Sequence, residues 1–230
     1  MSQFHSLTIK QVRNETRDAV SIAFDVPEHL QDQFRFTQGQ YLVMRTQLDN
    51  EEVRRSYSIC SAVQDGELRV AVKRVPGGRF SAFANEVLKT GQQLEVMPPS
   101  GSFFVPLDPA RQGNYLGVAA GSGITPILSI IATTLASEPR SRFTLLYGNR
   151  SSSGALFRDK LEDLKNRYLD RLNLIFVFSR EQQDVDLYNG RIDADKCGQL
   201  FSRWLDVAGL DAAFICGPQA MTETVRDALK

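Results

Sequence analysis

The 230-residue sequence predicts two domains of different class, an N-terminal antiparallel β-barrel and a C-terminal α/β domain with a doubly wound parallel sheet. Short segments rich in β-branched and aromatic residues fill the N-terminal half. After residues 106–109 the pattern changes to strands that alternate with helices, which is typical of a parallel sheet. The length suits two domains of roughly 100 residues each. We place the boundary so that the domains are 1–107 and 108–230.

In the first domain, short β-like runs and turn residues predict the barrel strands. The strands are Ala19–Phe24, Tyr41–Met44 and Leu68–Lys73, with turns at Thr37–Gly39 and Gln64–Gly66. A further β-like stretch ends with the run Arg55-Ser56-Tyr57-Ser58. One helix is predicted over Ser81–Lys89, with Phe83, Val87 and Leu88 on its apolar face.

In the second domain, four apolar runs each precede a helical segment. The strands are Tyr115–Ala120, Phe143–Tyr147, Leu174–Phe178 and Ala212–Cys216, and the helices are Thr125–Ala136, Ala155–Tyr168, Cys197–Leu205 and Gln219–Leu229. A doubly wound sheet usually continues into another strand after such a helix. We therefore expect a domain that is short by its last strand, or a sequence that is a fragment.

The composition excludes several classes of function. Lys plus Arg and Asp plus Glu balance at 27 each, which argues against nucleic acid or a membrane surface as the main partner. Neither a secretory signal nor a run of about 18 apolar residues is present. The three cysteines fit neither a disulfide framework nor a metal or iron–sulfur spacing. We expect a cytoplasmic protein without a metal site.

The run Arg55-Ser56-Tyr57-Ser58 is a candidate site for a flat, phosphorylated ligand. The planar fork of Arg55 suits a phosphate, the ring of Tyr57 can lie against a heterocycle, and Ser58 can hydrogen-bond its edge. The alternative is an ordinary amphipathic strand with an exposed arginine and a half-buried tyrosine.

The run Gly77-Gly78-Arg79-Phe80-Ser81 comes directly before the predicted helix. Glycines allow close backbone approach, and the free N–H groups at a helix start attract phosphate. A plain turn with Ser81 as the helix N-cap is the alternative.

A second glycine turn, Gly121-x-Gly123-x-x-Pro126, follows an apolar strand and opens a helix, which is the context of a phosphate-binding loop. Pro126 lies in the first helical turn, where its missing N–H costs nothing. A tight strand-to-helix turn without a ligand is the alternative.

Basic residues follow two later strands, Arg150 after one and Ser179-Arg180 after the next. Ligands bind at the carboxyl ends of parallel strands. Each arginine could equally be a solvated surface charge.

The order of these motifs along nearly the whole chain resembles that of ferredoxin–NADP⁺ reductase-like flavoproteins. The motifs are Arg55-x-Tyr57-Ser58, Val72-Lys73, Gly78-x-x-Ser81, Gly101 within Pro99–Phe103, Gly121-x-Gly123-x-x-Pro126, and Cys216-Gly217-Pro218-x-x-Met221. The resemblance implies FAD more often than FMN. It places Arg55 and the Gly78–Ser81 segment at the pyrophosphate, Tyr57 against the isoalloxazine and Ser58 near N5. Ser56, Val72 and Lys73 are further candidate contacts.

The resemblance also implies the arrangement of a nicotinamide site. Thr125 would lie beside the flavin and the nicotinamide, and Cys216 would shape the hydride-transfer position without acting as a nucleophile. Ser179 and Arg180 would bind the adenosine 2′-phosphate, with Arg150 nearby. An arginine and a serine there, with no acidic residue, favour NADPH over NADH.

The function implied is hydride transfer from NADPH to FAD, with electrons passed to an iron–sulfur centre that serves an oxygenase. A [2Fe–2S] ferredoxin domain follows in similar reductases, but this sequence has no C-x₄-C-x₂-C run. Two alternatives stay open. One is a stand-alone flavin reductase or diaphorase, and the other is a non-catalytic nucleotide-binding subunit.

Overall fold

A computed structural model describes residues 3–230, apart from the side chain of Trp204. Two compact units divide the chain: one holds the residues up to Phe104 together with Leu128–Ile130, and the other holds Val105–Ile127 together with Ile131–Lys230. No helix among the described residues is both long and apolar enough to cross a membrane.

The first unit is an antiparallel sheet of six strands in the order β4-β3-β6-β1-β2-β5. The strands are β1 (His5–Thr16), β2 (Ala19–Asp25), β3 (Tyr41–Leu48), β4 (Glu51–Ser58), β5 (Leu68–Lys73) and β6 (Gln93–Val96). A bridge between Ile59 and Val70 joins the two outer strands, and the Cys60 N–H donates to the Arg69 carbonyl (2.9 Å). The sheet therefore closes on itself, and the barrel prediction is confirmed.

The barrel core is built by alternation along each strand. On β2, Val20, Ile22 and Phe24 point into a cluster that also contains residues of the other five strands. Two of those strands, β1 and β6, lie outside the predicted set. Their outward-facing residues are polar, so neither strand has the continuous apolar run that reveals a buried strand.

The helix of this unit, α1 (Arg79–Glu86), begins two residues before the predicted Ser81–Lys89 and ends three residues earlier, and Phe83 packs against the barrel core as predicted. Phe80, Ala84 and Leu88 are buried, whereas Val87 is 51% exposed, so the predicted apolar face is wrong at Val87. The helix ends at Glu86 and Val87 is its C-cap, so Val87 does not continue the helical face of Phe80 and Ala84.

The second unit is a parallel sheet of four strands in the order β10-β7-β8-β9. The elements are β7 (Asn114–Ala120), α2 (Ile124–Ser137), β8 (Arg142–Asn149), α3 (Arg158–Arg167), β9 (Leu172–Phe178), α4 (Ala194–Trp204), β10 (Ala212–Cys216) and α5 (Gln219–Ala228). Every predicted strand and helix is present. The helix predicted from Ala155 begins at Arg158, because Phe157 adopts a left-handed conformation (φ 59°).

Helices cover both faces of this sheet. Leu116 and Val118 of β7 pack in one cluster with residues of α4 and α5. Gly117, which points the other way, lies against Ile127 of α2 and Phe143 of β8. The prediction of a doubly wound sheet is confirmed.

The strand order creates a switch point between β7 and β10. The chain moves from β7 through β8 to β9 and then returns, so that β10 lies on the opposite side of β7. In open α/β sheets, ligands bind outside the carboxyl ends of the strands at such a point.

Candidate functional site

In the first unit, the candidate residues of β4 lie beside the start of α1. The ring of Tyr57 packs against that of Phe80, with centroids 5.5 Å apart and an interplanar angle of 32°. Phe80 is buried in the barrel core, so it supports one side of the Tyr57 ring. Burial raises the pKa of Tyr57 to about 12, although the charge of Arg55 opposes the shift. The phenol is therefore neutral at physiological pH.

Arg55 is the available cation on this strand. Its side chain is exposed, and its Nη1 donates to the carbonyl of Arg54 (2.6 Å). Among the described residues it has no ion-pair partner. Ser56 is exposed, whereas Ser58 is half-buried and is paired in the sheet with Tyr41.

The turn at Gly77 and Gly78 leads into a helix start that has no side-chain cap. Gly77 adopts a left-handed conformation (φ 72°), and no atom lies within 4 Å of where its Cβ would be. The Ser81 hydroxyl donates to the Gly78 carbonyl (3.0 Å) and accepts from the Val75 N–H (3.1 Å), so it braces the turn. Gly78 is the N-cap, and no side chain in the described part of the chain caps the helix, which leaves the N–H groups of the first turn free for an anion.

Arg79 is engaged elsewhere. Its guanidinium pairs with Glu51 and Asp49 and donates to the Leu48 carbonyl, all at the β3–β4 turn. The hydrogen bond to the Glu51 carboxylate is the main cause that raises the pKa of Arg79. Of the two candidate arginines in this unit, Arg55 is thus the one left free for a phosphate.

Val72 and Lys73 contribute less to a site than their motif suggests. The Val72 side chain lies in the barrel core, so only its backbone can touch a ligand, and its carbonyl accepts from Asn85 Nδ2 (3.1 Å). Lys73 pairs with Asp18 (3.5 Å).

Gly101 lies close to the same strands. It has φ 117°, and a Cβ there would come within 3.0 Å of the ring of Tyr41. The backbones of Ser100 and Tyr41 exchange two hydrogen bonds (2.9 and 3.0 Å). Because Tyr41 is the sheet partner of Ser58, the Gly101 segment lies near the end of the Arg55–Ser58 run. Together with the uncapped turn and the free Arg55, these residues fit the pyrophosphate and ring of FAD.

In the second unit, two glycine turns meet at the switch point. A Cβ on Gly123 would lie 2.0 Å from the carbonyl oxygen of Cys216. A Cβ on Gly217 would lie 2.7 Å from Met221 Cε and 3.1 Å from the Cβ of Ala120. Only glycine allows the two loops to approach so closely. Gly121, by contrast, has φ 54° and open space where a side chain would be.

The turn at Gly121–Gly123 leads directly into α2. Thr125 is buried and its hydroxyl donates to the Ser122 carbonyl (3.0 Å), so it stabilises the turn. Pro126 lies in the first turn of α2, as expected. None of the described side chains caps the start of α2, which fits a phosphate or a carboxamide at the same place.

Cys216 and Pro218 flank the second glycine turn. Burial raises the pKa of the Cys216 thiol, so it stays protonated and is a poor nucleophile at neutral pH. Pro218 is the N-cap of α5 and is exposed.

The basic residues that follow β8 and β9 lie side by side. The Ser179 N–H donates to the Asn149 carbonyl (3.0 Å), and the Arg180 N–H donates to the Arg150 carbonyl (2.8 Å). Both arginine side chains are exposed, and neither has an ion-pair partner within the described part of the chain. The structure thus places the backbones of two arginines side by side, and a guanidinium group is suited to a phosphate.

One residue of this region lies outside the predicted set. Glu181 follows Arg180 directly, so the prediction that no acidic residue lies beside Ser179 and Arg180 is wrong. Its carboxylate accepts from the N–H and the hydroxyl of Ser152 (2.7 and 2.9 Å). The sequence signal was present in the adjacency of Arg180 and Glu181, but the contact with Ser152 needs the fold.

Comparison with known proteins identifies both units. Residues 6–105 match the family "Oxidoreductase FAD-binding domain", and residues 118–227 match "Oxidoreductase NAD-binding domain". A ferredoxin NADP⁺ reductase from Neisseria gonorrhoeae, solved with FAD and NADP, has the same fold, with a TM-score of 0.80 at 20% identity over 100% of this chain and 91% of that one. The chain therefore carries an FAD-binding and an NAD-binding oxidoreductase domain and has the fold of a ferredoxin–NADP⁺ reductase, which agrees with the order of its motifs.

Among individual relatives, the chain is 52% identical over its full 230 residues to one of the subunits of 1,2-phenylacetyl-CoA epoxidase from Escherichia coli K12. It is 33% identical over 225 residues, 97% of its length, to the ferredoxin reductase component of 3-ketosteroid-9-alpha-monooxygenase from Rhodococcus rhodochrous. The chain spans 65% of the first relative and 60% of the second.

Proposed function

We propose that this chain takes a hydride from NADPH onto FAD and passes electrons to an iron–sulfur centre that serves an oxygenase of the phenylacetyl-CoA epoxidase type, in phenylacetate degradation. The observation that carries the proposal is the contact between the glycine turns at Gly123 and Cys216, at the switch point of a nucleotide-binding sheet. The two domain families and the names of the two relatives support it.

In the first unit, Arg55 and the uncapped start of α1 would hold the pyrophosphate of FAD. Tyr57, backed by Phe80, would lie against the isoalloxazine, and Ser58 would hydrogen-bond its edge near N5. Bound FAD supplies a group that accepts a hydride and releases electrons one at a time. The residues of the barrel orient the ring and keep it in place.

In the second unit, the turn at Gly121–Gly123 would receive the coenzyme, with Thr125 and Cys216 beside the nicotinamide. The Cys216 thiol, protonated because burial raises its pKa, would limit the position of the nicotinamide ring through van der Waals contact and would not react with it. Gly217 and Pro218 would line the same pocket.

The choice of NADPH rests on the pair Arg150 and Arg180. Two free guanidinium groups joined through their backbones suit the dianionic 2′-phosphate, and the Ser179 hydroxyl adds a donor. The only carboxylate next to them in sequence, that of Glu181, accepts two hydrogen bonds from Ser152.

The acceptor is proposed as a ferredoxin-type [2Fe–2S] domain or the oxygenase component. Both relatives are components of oxygenase systems by name, and one is called a ferredoxin reductase component. We also propose a cytoplasmic location, in keeping with three cysteines that are all free thiols; cell fractionation tests it.

Absorbance spectroscopy tests the whole proposal. The purified chain supplied with FAD should show a bound-flavin spectrum, and anaerobic stopped-flow mixing should bleach it at a lower concentration of NADPH than of NADH. No bound flavin after addition of FAD would contradict the proposal. Flavin that binds but is not reduced would favour the non-catalytic alternative. Reduction of dyes without reduction of an added [2Fe–2S] protein would favour a stand-alone diaphorase.

A matched pair of variants tests the flavin site. Arg55→Ala should weaken FAD binding at least about tenfold, because a free charge-assisted contact to a phosphate is lost. Arg54→Ala, on the opposite face of the same strand and paired with Glu52, should leave FAD binding nearly unchanged. Equal effects of the two substitutions would contradict the role of Arg55.

A further inference from the structure

The loops after β8 and β9 continue to pair beyond the ends of their strands. Consecutive N–H groups of Ser179 and Arg180 donate to consecutive carbonyls of Asn149 and Arg150, at 3.0 and 2.8 Å. The backbones that carry the two free arginines are therefore tied to each other directly.

Glu181 adds a side-chain link between the same loops. Its Oε2 accepts from both the N–H (2.7 Å) and the hydroxyl (2.9 Å) of Ser152, the first residue of a short helical turn over Ser152–Gly154. The N–H of Ser152 is the main cause that lowers the pKa of Glu181, followed by its hydroxyl. A carboxylate at the start of a helical turn binds N–H groups that otherwise lack a partner.

We propose that Glu181 is a positioning residue for the coenzyme: by holding Ser152 it fixes the loop of Arg150 against that of Arg180, so that both guanidinium groups can bind one phosphate. The inference rests on the proposed 2′-phosphate site. The Arg180 N–H lies 2.8 Å from the Arg150 carbonyl oxygen, so the two long side chains start from adjacent backbones and are long enough to reach one phosphate. A site that is held before binding spends less of its binding energy on ordering loops and side chains.

Two other roles for Glu181 make opposite predictions. An acidic residue in this part of a dinucleotide-binding domain can hydrogen-bond the ribose 2′-hydroxyl, which favours NADH. A carboxylate that acts only through its charge would repel a phosphate, and its removal would strengthen binding of an anion. Positioning alone predicts that removal of this negative charge weakens binding of a doubly charged group.

The test compares two probes that differ only at the 2′ position, adenosine 2′,5′-bisphosphate and adenosine 5′-monophosphate, by calorimetric titration of the full chain. Glu181→Ala should weaken the bisphosphate about tenfold and change the monophosphate by less than about twofold. Glu181→Gln, whose amide oxygen can still accept from the Ser152 N–H, should lose less affinity for the bisphosphate than Glu181→Ala. In steady-state assays the KM for NADPH should rise while kcat stays within about twofold.

Ser152→Ala provides a second, milder variant, because it removes the hydroxyl contact and keeps the N–H; a loss of about threefold for the bisphosphate alone is expected. Equal loss for both probes, a larger loss for the monophosphate, or tighter binding of the bisphosphate would each overturn the proposal.

Arg180→Ala distinguishes a failure of the proposed 2′-phosphate site from a failure of the role of Glu181. If it leaves the preference for the bisphosphate intact, the 2′-phosphate site itself fails, and the role of Glu181 fails with it. If it removes the preference while Glu181→Ala does not, only the role of Glu181 fails.

Discussion

The ring of Tyr57 packs against the ring of Phe80, with a centroid distance of 5.5 Å. Tyr57 belongs to the Arg55–Ser58 run on β4, and Phe80 belongs to the Gly77–Ser81 run at the start of α1. The contact joins two motifs that are separate in sequence into one candidate flavin site. It also places the phenol where burial raises its pKa to about 12.

That shift predicts a loss of stability at high pH. An unfolded tyrosine titrates near pH 10, so the contribution of Tyr57 is complete below about pH 10 and is lost as the pH rises towards 12. Two pKa units correspond to about 2.7 kcal/mol, and partial exposure of the ring reduces this to roughly 1–2 kcal/mol. Urea unfolding of the wild type and Tyr57→Phe at moderate and high pH measures it. The same pH dependence in both proteins would contradict the assignment.

The close contact at the switch point predicts that Gly123 tolerates no side chain. In Gly123→Ala the new Cβ meets a backbone carbonyl, which cannot rotate away, so the second unit should lose about 2–3 kcal/mol of stability or more. Gly198→Ala is the matched control. Gly198 lies within α4 with open space around it, and the alanine should stabilise the helix by about 0.5–1 kcal/mol. Urea unfolding should show the two changes with opposite signs.

Coenzyme preference should depend on Arg180. Arg180→Ala should weaken NADPH by about 1–3 kcal/mol and leave NADH nearly unchanged, because only NADPH carries the 2′-phosphate. Arg167→Ala, at an exposed position in the last turn of α3, controls for the loss of one positive charge. Dissociation constants from fluorescence titration provide the measurement. Equal losses for both coenzymes would show that Arg180 does not bind the 2′-phosphate.

The buried carboxylate of Glu138 should contribute to the stability of the second unit. Glu138 is fully buried, and its oxygens accept from the Asp108 N–H (3.0 Å), the Tyr115 hydroxyl (2.8 Å) and the Ser141 hydroxyl (2.7 Å). In Glu138→Gln the amide NH₂ would face donors, so we expect a loss of about 1–3 kcal/mol.

Glu162→Gln on the surface of α3 is the control for Glu138. It breaks one exposed pair with Arg158 and should cost about 0.3–0.5 kcal/mol. Chemical unfolding of both variants tests the difference, and similar small losses would mean that the Glu138 network contributes little.

Where an element has a strong local pattern, the sequence alone predicted it well. The strands and helices of the second unit stand as predicted, because a strand buried on both faces is a continuous apolar run and its helix follows a clear turn. In the first unit, β1 and β6 lacked such a pattern, and Val87 is exposed because α1 ends before it, at Glu86.

The motifs likewise predicted the two nucleotide-binding domains, since glycines and arginines at these spacings are local features of the chain. The tertiary structure decided which of those residues are available and which meet. Arg79 pairs with Glu51 while Arg55 stays free, and Glu181 binds Ser152. These are contacts between residues of different strands and loops, formed by strand order and register, and no local pattern specifies them.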